Sequence, residues 1–120
     1  MSVSVIIPAL NEEGTVADVV RACLADNPLE VLVIDADTSD DTASRAAAAG
    51  ADVHNWRDIL PVEPRPGKGE SLWRGVAAAK GDIVVFVDAD LESAAPGMVT
   101  ALADPLSAPP RGILPGPRRT

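Results

Sequence analysis

The chain has 120 residues, room for one domain, and carries 18 acidic against 10 basic side chains for a net charge of −8. That balance argues against a general nucleic-acid binder, which needs a basic footprint, and it obliges any anionic ligand to arrive with a metal ion or to meet local cations. Cys23 is the single cysteine, so no internal disulfide is available. No apolar run approaches the roughly 20 residues of a membrane helix, and the opening MSVSVIIP lacks the basic stretch of a secretory signal; a cytoplasmic protein with no membrane partner is expected.

Residues 3 to 7, VSVII, read as a short buried strand ended by Pro8. A helix follows, because Val16, Val19, Val20, Cys23 and Leu24 fall on one face; Cys23 lies in that stripe and reads as a core thiol. EVLVIDA, residues 30 to 36, is a second apolar strand. The segment after it offers Ser39 or Asp40 as a helix cap and Gly50 as a stop. ADVHNW, residues 51 to 56, is a weaker, edge-like strand, and its His54 has no Cys or His partner at metal-binding spacing.

Residues 57 to 69 read as a loop punctuated by Pro61, Pro64, Pro66, Gly67 and Gly69. ESLWRGVAAAK is a helix closed by Gly81, and DIVVFV, residues 82 to 87, a fourth strand. Pro96 suits the start of a last helix. Strands alternating with helices mean a mostly parallel sheet covered on both faces, an α/β three-layer architecture. In such sheets ligands bind beyond the carboxyl ends of the strands, where the strand order reverses. Residues 1–106 form this domain, and the Pro-, Gly- and Arg-rich residues 107–120 are expected to be a disordered tail. A sheet ending after four strands leaves the last one short of a neighbour, so the chain is expected to be truncated.

The carboxyl ends hold the unusual residues: PALNEE after the first strand, DADTSDD after the second, DAD after the fourth. Asp88 and Asp90 stand two apart, so in extended backbone they face one side, where they repel each other unless a cation is near. Aspartate also simply ends strands and begins turns. Lys68 lies between Gly67 and Gly69, which leave its ammonium unshielded, with Arg65 and Arg74 as further candidates to meet a phosphate. RPGKGES is not a phosphate-binding P-loop, since no glycine stands four residues before Gly67 and Gly69 occupies the Ser/Thr position. PALNEEG is no dinucleotide-binding glycine turn.

VSVIIPALNEEGTV, VIDADTSDDT and VFVDAD resemble the opening, second-strand and Asp-x-Asp motifs of family 2 glycosyltransferases of the GT-A fold, whose first half is Rossmann-like. PRPGKGESLWRG narrows the resemblance to glucosyl-3-phosphoglycerate synthases, over residues 3 to about 106. The resemblance implies a retaining, metal-dependent transfer of glucose from UDP-glucose, or a similar donor, to 3-phosphoglycerate. It implies donor binding by Pro8, Ala9, Leu10, Glu12, Asp35, Ala36, Lys68, Asp88 and Ala89, with Asp90 as ligand to Mg2+ or Mn2+, and a homodimer in the full-length enzyme. The family often has serine where this chain has Ala36. The resemblance also implies a further metal-binding histidine and an acceptor site, both expected from a C-terminal half that follows the matched region. Two other readings stay open: a family 2 enzyme acting on a polyprenyl phosphate or other acceptor, and a nucleotide-binding fragment without turnover.

Overall fold

In the computed structural model, which describes residues 2–107, the strands are β1 (Val3–Ala9), β2 (Glu30–Asp35), β3 (Asp52–Asn55) and β4 (Ile83–Phe86). The helices are α1 (Val16–Leu24), α2 (Thr42–Ala48), α3 (Trp56–Ile59), α4 (Lys68–Ala78) and α5 (Met98–Ser107). All neighbouring strands pair in parallel, in the order β3-β2-β1-β4. The order reverses at β1, whose carboxyl end therefore opens a crevice. Residues 108–120 of the expected tail lie outside the described residues; Ser107 is the last residue of α5.

Alternation along the strands builds the two faces. Val5, Ile7 and Ala9 of β1 join Val31, Val33, Ile83 and Val85 against Val16, Val19, Val20 and Cys23 of α1 and Val99 and Ala103 of α5. Ile6, Leu32 and Ile34 point the other way, with Trp56, and meet Leu72 and Ala78 of α4. Burial raises the Cys23 thiol to about 11, as befits a core residue. The helix α4 sits unusually close to β1, because a Cβ at Gly75 would stand 2.4 Å from Ile6 Cγ2. His54 is exposed on the edge strand β3.

Four expectations need correction. Strand β1 does not stop at Pro8 but runs through it to Ala9. The Ile6 carbonyl accepts from the N–H of Val87, so Pro8, two residues on, faces beyond the last residue of β4, and its missing N–H leaves no ladder bond unmade. The stretch read as loop contains α3, entered through Asn55, whose side chain accepts from the Arg57 N–H at 2.9 Å. The last long helix before β4 begins earlier than expected, at Lys68, after Gly67 turns the chain with φ of 116°. Arg74 does not face a ligand: its side chain is fully buried. It donates to Glu70 at 2.7 Å and to the carbonyls of Trp56, at 2.8 Å, Leu60 and Val62, so it ties the irregular 56–62 segment to α4.

Candidate functional site

Three strands end side by side at the crevice. Ala9 pairs with Asp35 and Asp35 with Asn55, so Leu10, Ala36 and Trp56 form the next row across the carboxyl edge of the sheet. A cleft of about 260 Å³ lies there, lined by Pro8, Ala9, Leu10, Glu12, Ala36 and Lys68, all expected from the sequence. Trp56, Gly67 and Ser71 complete the lining and were not expected. The sequence does hold one signal for Trp56, a large apolar side chain immediately after an edge strand. The lining is of two kinds: Leu10, Ala36 and Trp56, in one row along the strand ends, are apolar, and Glu12 and Lys68 bring charge.

Lys68 Nζ lies 2.7 Å from an Asp88 carboxylate oxygen. That hydrogen bond, more than the burial opposing it, raises the Lys68 ammonium above its ordinary range, and the Asp88, Asp90 and Glu12 charges add to it. Glu12 is shifted upward, first by desolvation and then by repulsion from Asp90, with Asp40 and Asp88 contributing and Lys68 opposing. Negative charge therefore converges on one rim, and a single lysine among these residues offsets it.

The turn bearing Asp88 and Asp90 is fixed from across the molecule. Thr15 stands at the start of α1, yet its hydroxyl caps no helix N–H; it donates to the Ala89 carbonyl at 2.8 Å. Ala89 itself is buried, with its methyl in the core, while both flanking aspartates are exposed. Sequence reasoning did not find Thr15, because the contact spans 74 positions. The Glu12 backbone is held in turn, its N–H donating to Thr42 Oγ1 at 2.7 Å, and Thr42 is bound by the Asp40 carboxylate. The N-cap position of α2 falls at Asp41, not at Ser39 or Asp40 as expected; Asp40 instead accepts from Thr42, the first residue of the helix, and those hydrogen bonds lower its pKa.

Asp35 is outside the cleft lining. Its carboxylate accepts from the Thr38 N–H at 2.7 Å and closes its own turn. Beyond it, Asp37 receives hydrogen bonds from Arg57 and Asn55, which hold its carboxyl at about 2. Arg57 also reaches Glu63 at 2.6 Å, joining this turn to the 56–62 segment and its neighbour. Arg65 is exposed and does not line the cleft.

Asp88 and Asp90 offer oxygen atoms, the donors that Mg2+ and Mn2+ prefer. Among the described residues, no group of three or more His, Cys, Asp or Glu is gathered tightly enough to hold an ion unaided. The donor set therefore fits a hard cation whose coordination is completed by phosphate oxygens and water, not a closed protein cage. Among the described residues, no helix is long and apolar enough to cross a membrane.

The family model for glycosyl transferase family 2 matches residues 4–120. Glucosyl-3-phosphoglycerate synthase from Mycolicibacterium paratuberculosis is 49% identical over 109 residues, covering 88% of this chain and 33% of the relative. Its counterpart from Petrotoga mobilis is 39% identical over 113 residues, covering 88% of this chain and 35% of the relative. The crystal structure of the Mycobacterium tuberculosis glucosyl-3-phosphoglycerate synthase in complex with Mn2+, UDP-glucose and phosphoglyceric acid superposes with a TM-score of 0.82. It is 48% identical, covering 88% of this chain and 39% of that one. The chain thus spans about a third of the length of the curated relatives it matches.

Proposed function

Since the chain belongs to glycosyl transferase family 2, we propose that it is the donor-binding part of a glucosyl-3-phosphoglycerate synthase, holding UDP-glucose for retaining transfer to 3-phosphoglycerate. One observation carries the reading: a cleft beyond the carboxyl ends of β1, β2 and β3 joins apolar residues to a lysine, and that lysine reaches across to Asp88 of the aspartate pair, which suits the base, diphosphate and metal-bound parts of a nucleotide-sugar. Relatives sharing nearly half the residues of this region are named for that reaction, and one was crystallised with the donor, the acceptor and Mn2+.

Each group has work that follows from its place. Leu10 and Ala36, with the backbone of Pro8 and Ala9, would give the base an apolar surface; with alanine at 36 the side chain adds no hydroxyl, so contacts there would be made by backbone and by shape. Glu12 would accept from a ribose hydroxyl or a base N–H. Lys68, already charged and at the mouth, would exchange Asp88 for a diphosphate oxygen, a charge-assisted hydrogen bond of the stronger kind. Asp90, with Asp88 beside it, would hold Mg2+ or Mn2+. The ion, when bound, supplies charge neutralisation for the departing diphosphate. Thr15 keeps both aspartates in register by its hold on the carbonyl between them.

The reading is tested by titrating UDP-glucose into the chain in the presence of Mn2+. Saturable binding of one equivalent, displaced by UDP and not by 3-phosphoglycerate, is expected. No binding, or displacement by both alike, would overturn it.

A further inference from the structure

We propose that Trp56 is the residue that limits the nucleobase to a single ring, by closing the apolar row of the cleft toward β3. The inference rests on the donor reading above and adds to it the identity of the part that measures the base.

Trp56 is 9% exposed and packs with Ile6, Leu32 and Ile34. It also lines the cleft, in the row that carries Leu10 and Ala36. The small side chain of Ala36 and the backbone of Pro8 and Ala9 leave room for a flat ring on the ends of β1 and β2. The indole stands at the end of β3, where that room stops. A pyrimidine laid on Ala36 would abut it; the second ring of a purine would have to occupy its volume.

A wall measures size only if it does not yield, and this one is fixed on three sides. Asn55 pairs with Asp35 in the sheet and caps α3. The Trp56 carbonyl accepts from the buried Arg74 guanidinium at 2.8 Å, and the same guanidinium holds Leu60 and Val62. The ring packs against the core on its inner side. The indole Nε1–H is buried and has no hydrogen-bond partner within the described residues. The ring is therefore held by packing and by its backbone, and acts on the cleft through its shape.

The experiment compares UDP and GDP by calorimetry in Mn2+ for the unsubstituted chain, Trp56→Ala and Trp56→Phe. The unsubstituted chain should prefer UDP, and Trp56→Ala should cut the UDP-to-GDP affinity ratio by roughly tenfold, the scale on which apolar pockets discriminate by size. Trp56→Phe, which keeps a ring and the fold even if the alanine variant unfolds, should lower the ratio by a smaller factor. General loosening of the fold would weaken both nucleotides alike and leave the ratio unmoved. An unchanged ratio in the folded variants, or no UDP preference in the unsubstituted chain, overturns the role of Trp56 while the donor reading stands. Binding of neither nucleotide by the unsubstituted chain overturns the donor reading itself.

Discussion

Lys68 Nζ and an Asp88 carboxylate oxygen stand 2.7 Å apart, joining the first residue of α4 to the turn that follows β4. Both side chains are more than half exposed, so as a surface ion pair it contributes little to folding, about 0 to 1 kcal/mol. Its weight lies in the exchange it permits: the ammonium is kept charged and close to where a diphosphate would lie, and Asp88 is freed when it leaves. Lys68→Ala should therefore weaken UDP binding by about 1.5–3 kcal/mol, the value of a hydrogen bond to a charged group. Arg21→Ala removes the same charge from the last turn of α1, where Arg21 pairs with Asp18, and should change UDP affinity hardly at all. Calorimetry on both variants separates the two cases, and equal losses would reduce the effect of Lys68 to net charge.

Glu12 illustrates a cost of function. Its pKa is raised first by desolvation and then by Asp90, so the folded chain binds that proton more tightly than the unfolded chain does. The sign follows: the ionised carboxylate destabilises the fold above its folded pKa, and the penalty is relieved as pH falls below the unfolded value. Glu12→Gln should raise the melting temperature of the unliganded chain at neutral pH and leave it nearly unchanged at pH 4, while weakening UDP. Thermal unfolding at the two pH values checks it; a lower melting temperature at neutral pH would refute the argument.

Arg74 is the buried charge on which the 56–62 segment depends. Arg74→Met removes the guanidinium and leaves Glu70 and three carbonyls without their donor. Breaking such a buried arrangement by deleting one partner costs about 3–5 kcal/mol. Urea unfolding should report that loss, and a change below about 1 kcal/mol would mean water replaces the guanidinium without penalty.

Asp26 gives a prediction at the opposite end of the sheet. Its carboxylate accepts from the backbone N–H groups of Gly97, Val99 and Thr100 and so starts α5. Those bonds, the one from Thr100 foremost, lower its pKa. Its contribution is therefore present above the unfolded pKa of 3.8 and is lost as pH falls through the lower folded value. Asp26→Ala should cost about 0.5–2 kcal/mol at neutral pH. The difference from the unsubstituted chain should shrink in acid, as urea unfolding at pH 7 and pH 3 would measure; a constant difference would contradict the linkage.

The strands were legible because their runs are purely apolar and β-branched, and β1, β2 and β4 fall within two residues of expectation. Pro8 misled only because a proline normally ends a ladder; which edge it faces depends on the length of β4, which no local pattern reveals. The helix α3 was hidden by its four residues, too few to show a period. Glu12 and the aspartate pair stood out as charges after strand ends, and Lys68 as a cation between two glycines. Arg74 was not, because its acceptors are carbonyls, which every residue carries; the spacing of Glu70 and Arg74 was the one available clue.

The central claim is that the Asp88–Asp90 rim and Lys68 form a donor site completed by a divalent cation. The measurement that tests it most directly is UDP titration with and without Mn2+, on the unsubstituted chain and on Asp90→Asn. Mn2+ should tighten UDP binding by about tenfold or more, some 1.4 kcal/mol, in the unsubstituted chain, and Asp90→Asn should abolish that gain. Equal affinity with and without the ion, or a gain that survives in Asp90→Asn, would contradict it.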